Sequence, residues 1–402
     1  MTPPTPQQRD RITRRMRHTL AIVLVTTVST ALSLAAADIA MDTLEARRHP
    51  FYTNLTPSEL AKLPVKTSGI VTGQYDDEVI DLPFHVAGKS WLWAGQNGRT
   101  IEFLVKGRWN NIGCHDDLDY PTAPISSRPA VLFLGDSFIE AMQVDFGDTF
   151  HARLRRTRFG ERFDVWACGA AGWNPGGVER YLNDDPRMPL SAMRQLSTLR
   201  PAYVMYFVFI GNDLRDQAGV AFEDTVAGAP PCAPTVQPGN SIFWFKVRQV
   251  ADMYLTRGGS DFRCIDNQFW PYAEMKIPAV EEGWAATFTA LDRMNDTVKQ
   301  RGARLIVAMI EPYPFPYGRL AVERAVRATY PGGKEVPLDR SRPLKRLGSF
   351  AANRGLPFVN ISDVVRACGG NDEYYPFDEH FNAKGHRCLA DYLDAQRDTL
   401  FP

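Results

Sequence analysis

The sequence predicts an α/β domain on a mostly parallel sheet, and three observations predict it. First, apolar, β-favouring runs without alternation recur at residues 130–134 (AVLFL), 163–167 (FDVWA), 203–210 (YVMYFVFI), 304–310 (RLIVAMI) and 357–360 (PFVN). A strand covered by helices on both faces needs apolar side chains on both, so it reads as a continuous run. Second, the first three of these runs end in loops rich in Gly, Asp and Asn: Gly135-Asp136-Ser137, Cys168-Gly169-Ala170-Ala171-Gly172 and Gly211-Asn212-Asp213. Third, helical periods lie between the runs. Residues 149–158 carry Phe150 and Leu154, and residues 281–301 carry Trp284, Phe288, Leu291 and Val298 on one stripe before Gly302. Residues 343–354 stop at Gly355 in the same way, a glycine just past a helix end being a common breaker. Strands alternating with helices give a parallel sheet with right-handed crossovers.

Before these elements the chain reads differently. Arg9, Arg11, Arg14, Arg15 and Arg17 crowd the N-terminus beside a single acid, Asp10, and residues 20–37 are uncharged. As a helix that run rises ~27 Å, close to a hydrocarbon core. Basic-then-apolar order predicts a cytoplasmic tail and an inner-membrane anchor over residues 1–45, with the remainder on the periplasmic, extracytoplasmic side. Ala35-Ala36-Ala37 alternatively suits a cleaved signal and secretion. The polar continuation DIAMDTLEARR favours the retained anchor. Residues 46–128 are expected to form a β-rich extension and linker, with short runs at 79–84, 90–93 and 100–105. Residues 129–402 make the main domain, interrupted by a proline- and aromatic-rich insertion at about 216–282.

Among 402 residues, 44% are hydrophobic and 23% charged, so the chain buries a core and is neither disordered nor polytopic. Lys plus Arg number 46 and Asp plus Glu number 46, which leaves no general positive field for nucleic acid. Six cysteines lack the close spacing of a zinc site, and neither a metal nor a cofactor is expected. Cys232–Cys264 is the first disulfide pair to consider and Cys368–Cys388 the next.

Ligands of open α/β sheets sit beyond the carboxyl ends of the strands, so the loops after the apolar runs are where chemistry belongs. They hold Ser137, Gly172 and Asn212, and the final loop holds Asp378 and His380. A serine hydroxyl needs a base to remove its proton, a histidine serves when a carboxylate orients it, and the oxyanion needs donors. Ser137, His380 and Asp378 fit the three roles, with the Ser137 and Gly172 N–H groups and the Asn212 amide as oxyanion donors. Glu379 adjoins the acid, and His386 is a rival histidine. Asp136 and Asp213 read as hydrogen-bonding supports of their loops.

These blocks resemble the SGNH, or GDSL-type, hydrolase family, in particular its membrane-anchored bacterial subgroup. They are VLFLGDSFIEA, VWACGAAGW, FIGNDLRD and FDEHFNAKGH, with Asn110-Asn111-Ile112-Gly113 as a lead-in. The resemblance covers about residues 110–216 and 285–400. It departs at Ala167, where the family often has asparagine, and in placing the acid two residues before the histidine. It implies a three-layer αβα sandwich with a flavodoxin-like sheet, and a serine esterase acting outside the cytoplasm on an acyl ester such as an acylated cell-envelope glycan or lipid. O-acyl transfer to an exported polysaccharide and a non-catalytic envelope binding module are the alternatives.

Overall fold

The computed structural model describes residues 22–40 (save 24 and 38), 51–60, 65–66, 69–70, 87–121 (save 89, 98 and 99), 126–183, 199–214, 271–313 (save 275–277), 339–368, 372–375 and 378–402. Most of the insertion, the run at 79–84 and the Cys232–Cys264 pair lie outside these residues.

The expected inner-membrane anchor is overturned. No helix among the described residues is long and apolar enough to cross a membrane. The expectation of an inner-membrane-anchored protein falls with it, and the membrane-anchored subgroup loses its support.

The extension contains strand β1 (Tyr52–Thr53) and an antiparallel hairpin of β2 (Ser90–Asn97) and β3 (Thr100–Arg108), in the order β1-β3-β2. Five parallel strands follow: β4 (Ala130–Gly135), β5 (Asp164–Gly169), β6 (Tyr203–Phe209), β7 (Arg304–Ile310) and β8 (Phe358–Asn360). Their spatial order is β8-β7-β6-β4-β5. Counted from the first strand of this sheet, that is the doubly wound flavodoxin-like order, with its switch point between β4 and β6.

Period-two geometry explains the apolar runs. In β6, Val204, Tyr206 and Val208 enter one core and Met205 and Phe207 the other. The first core is closed by α4 (Pro175–Leu182), α5 (Pro278–Gln300) and α6 (Ser341–Asn353). On the other face lie α1 (Ser137–Glu140), α2 (Phe150–Leu154), α3 (Arg158–Arg162), α7 (Ile361–Ala367) and α8 (Ala383–Ala395). The result is the expected three-layer αβα sandwich. The helix expected at 149–158 is instead two short helices, because extended Thr157 caps the second by accepting the Phe159 N–H at 3.3 Å. Local side-chain bonds of this kind compete with helix continuation.

Two disulfides stand in the described residues. Cys368–Cys388 joins the end of α7 to α8, as the second pair considered from sequence. Cys114–Cys168, which was not anticipated, ties the loop after β3 to the end of β5.

Candidate active site

Strand β4 delivers Ser137 to the carboxyl edge of the sheet, and neighbouring β5 and β6 lead to Gly172 and Asn212 on either side. Asp136 turns the chain: it caps α1 by accepting the Phe138 N–H at 3.0 Å. Asp213 holds the Asn212 loop, accepting the Phe209 N–H at 3.0 Å and the Tyr206 hydroxyl at 3.2 Å. Both aspartates are the loop supports the sequence suggested.

His380 comes from the chain's other end, between β8 and α8. Its loop closes on itself: the Tyr375 N–H donates to the His380 carbonyl at 2.8 Å and the Glu379 N–H to the Tyr375 carbonyl at 2.9 Å. Glu379 takes a positive φ of 66°, the left-handed region that non-glycine residues seldom occupy. Asn382 then starts α8 by accepting the Lys384 N–H at 2.8 Å. This loop sets His380 Nε2 2.7 Å from Ser137 Oγ and Nδ1 2.8 Å from Asp378 Oδ1. With the proton on Nδ1, that nitrogen donates to Asp378 and Nε2 accepts from the serine hydroxyl. The Phe138 ring supports the imidazole with a centroid separation of 4.6 Å.

Electrostatics follow from the surroundings. Desolvation lowers the His380 pKa, but the charge and hydrogen bond of Asp378 outweigh it, Asp136 adds to the rise, and the ring reaches about 9. His386, the rival, is buried against Phe150 and Phe381. Burial first, then the charges of Arg153, His115 and His380, drives it down to about 3. It belongs to the core.

Gly172 adopts φ 75° with nothing within 4 Å of where a Cβ would lie, so its backbone is open to an approaching ligand. Asn212 is half-buried, and its Oδ1 is buried with no hydrogen-bond partner among the described residues. Sequence reasoning missed Glu140, at the end of the turn that carries Ser137. It is buried, and burial pushes its carboxyl up to about 8. The Ala171 N–H and His380 pull the other way, and Asp136 adds to the rise. An acid amid apolar neighbours three residues after the serine was the only available signal.

No protein-family model matches the chain, and no curated protein matches it. Among solved structures it is similar to TesA, with 15% identity over 68% of this chain and 99% of that one and a TM-score of 0.36. LAE5, an α/β hydrolase from the metagenome of Lake Arreo, gives 16% identity over 70% and 98%, with a TM-score of 0.36. A GDSL-like lipase from Bacteroides thetaiotaomicron gives 14% over 68% and 90%, with a TM-score of 0.33. Likenesses this distant carry no weight for activity.

Proposed function

We propose that the chain is a serine-dependent esterase acting through an acyl-enzyme on Ser137. One observation carries this reading: Ser137 Oγ, the His380 ring and the Asp378 carboxylate form one continuous hydrogen-bonded line, with links of 2.7 and 2.8 Å. A structural polar pair needs no hydroxyl aligned on the far nitrogen, whereas a nucleophile does.

In this reading the Ser137 oxygen attacks the ester carbonyl carbon as its proton passes to His380 Nε2. Asp378 holds the ring and stabilises the imidazolium. The carbonyl oxygen becomes an oxyanion facing the Ser137 and Gly172 N–H groups and the Asn212 amide. As the intermediate collapses, the ester C–O bond breaks and His380 gives its proton to the leaving alcohol. Water, deprotonated by the same ring, then releases the acid and restores Ser137. Because His380 must start neutral, turnover gains with pH toward its value of about 9. The two disulfides support an oxidising compartment as the place of action.

The test is labelling by a fluorescent organophosphonate, with the modified peptide mapped, beside hydrolysis of a short-chain aryl ester. Labelling is expected on Ser137 and absent from Ser137→Ala and His380→Ala. Wild-type hydrolysis by Ser137→Ala refutes the assignment.

A further inference from the structure

The hairpin of β2 and β3 precedes the span that resembles known hydrolases, yet it reaches the candidate site. Its register is broken at one place. Gly95 pairs with Phe103 and Gln96 with Ile101, which leaves Glu102 as the extra residue of a bulge. A bulge interrupts the ladder and re-aims a side chain, and bulges gather beside active sites. Glu102 is only 5% exposed, and its Oε2 accepts the backbone N–H of Asp378 at 2.8 Å. Burying a carboxylate is costly unless a donor meets it. The donor here belongs to the residue that orients His380.

That N–H is an effective handle. His380 Nδ1 lies 2.8 Å from the Asp378 carboxylate and 3.0 Å from the Asp378 carbonyl, so both of its partners belong to one residue. Any movement of Asp378 shifts both together. The same hairpin also grips the nucleophile's side. Phe103 and Val105 share a cluster with Ala141, Met142 and Val144, the segment after the Ser137 turn. Phe103 lies 4.8 Å from the Tyr375 ring, and the Tyr375 hydroxyl donates to the Gln143 carbonyl at 3.1 Å. The hairpin therefore touches the Ser137 side and the His380 side at once.

We propose that Glu102 is a positioning residue of this site: the bulged hairpin holds Asp378, and through it His380, in register with Ser137. The proposal deepens the esterase reading and rests on it. Glu102 acts through the Asp378 backbone, so what it supplies is an acceptor oxygen at the right place. Among the described residues, the charged or titratable groups that bear on His380 directly include Asp378, Asp136, Glu140 and His386.

The experiment uses the full chain. The His380 ring is titrated by NMR without substrate, and ester hydrolysis is measured as kcat and KM. Glu102→Leu removes the acceptor. It is expected to lower the His380 midpoint from about 9 toward the ordinary histidine range and to cut kcat tenfold or more, with KM within about twofold. Glu102→Gln keeps an acceptor oxygen and is expected to recover most of both losses. Should Glu102→Leu fail to fold, Glu102→Asp retains the charge with a shorter reach, and it should resemble the leucine variant. A His380 midpoint indifferent to Glu102→Leu or Glu102→Asp overturns the proposal, as does a Glu102→Gln variant as damaged as Glu102→Leu. The titration needs no turnover. A shifted midpoint in a chain that hydrolyses no ester sinks the esterase reading and leaves Glu102 as the positioning residue. An active esterase with an unmoved midpoint sinks Glu102 alone.

Discussion

Gly169→Ala is the most incisive single change, because it touches Ser137 without altering any polar group. Gly169 ends β5 and pairs across the sheet with Gly135, immediately before the Ser137 turn. A Cβ at 169 would lie 2.3 Å from the Glu140 nitrogen, 2.5 Å from the Asp136 carbonyl oxygen and 2.7 Å from the Ile139 carbonyl carbon. All three are backbone atoms of the turn carrying Ser137, so no flexible side chain swings aside. Ordinary contact begins near 3.4 Å, and the turn must retreat from β5 to restore it. The retreat is about 1 Å, and misplacement on that scale costs on the order of 10²-fold in a positioned reaction. Overpacking adds about 1–3 kcal/mol of destabilisation. The assay is the second-order rate of organophosphonate labelling, read beside the thermal midpoint. Labelling should fall about 10²-fold in a protein that still unfolds cooperatively. Gly348→Ala is the control. Its nearest neighbour across the packing is Phe358 at 3.7 Å, and it lies inside α6, so it should be neutral or stabilise by up to about 1 kcal/mol. If Gly169→Ala labels within twofold of the wild type, the turn is not held by this contact and the reasoning fails.

Other outcomes are expected. Asn212→Ala should fold normally and lose on the order of 10²–10³ in kcat, the usual loss for one oxyanion donor; unchanged steady-state rates remove it from that role. The acid limb of kcat/KM should be centred near 9, and Asp378→Asn should move it downward while lowering the plateau; a pH–rate profile with a fixed limb contradicts the pairing. The raised His380 pKa contributes stability that is full below the ordinary value of 6.5 and disappears as pH rises through about 9. For His386 the sign reverses. A folded value of about 3 means stability is lost as pH falls from 6.5 toward 3, so His386→Leu should flatten that acid limb in urea unfolding at a series of pH values. Reduction should destabilise the fold through the loops the disulfides close. These have sequence separations of 54 and 20 residues, for about 4 and about 3 kcal/mol respectively in the chain-entropy picture, measurable from denaturation midpoints of Cys114→Ser and Cys368→Ser variants.

The sequence by itself determined the sheet and the strand ends at which the candidate site residues gather. Residues 130–134, 203–210 and 304–310 are apolar on both faces, a pattern that has a stable place only between two helical layers. Ser137, Asn212 and the Asp378–His380 loop were legible because each closes a strand or follows the last one, and strand ends are encoded locally by Gly, Asp and Asn. The uncharged stretch at 20–37 suggested an anchor, yet no helix among the described residues is long and apolar enough to cross a membrane. Tertiary structure alone decided the rest. Cys114 meets Cys168 across 54 residues, and His386 rather than His380 is sealed in the core. Glu102 reaches Asp378 across 276 residues only because one extra residue in β3 turns it aside. Such contacts join segments whose local patterns are independent of one another. Nothing in either segment announces its partner until the sheet and its two helical layers bring them together.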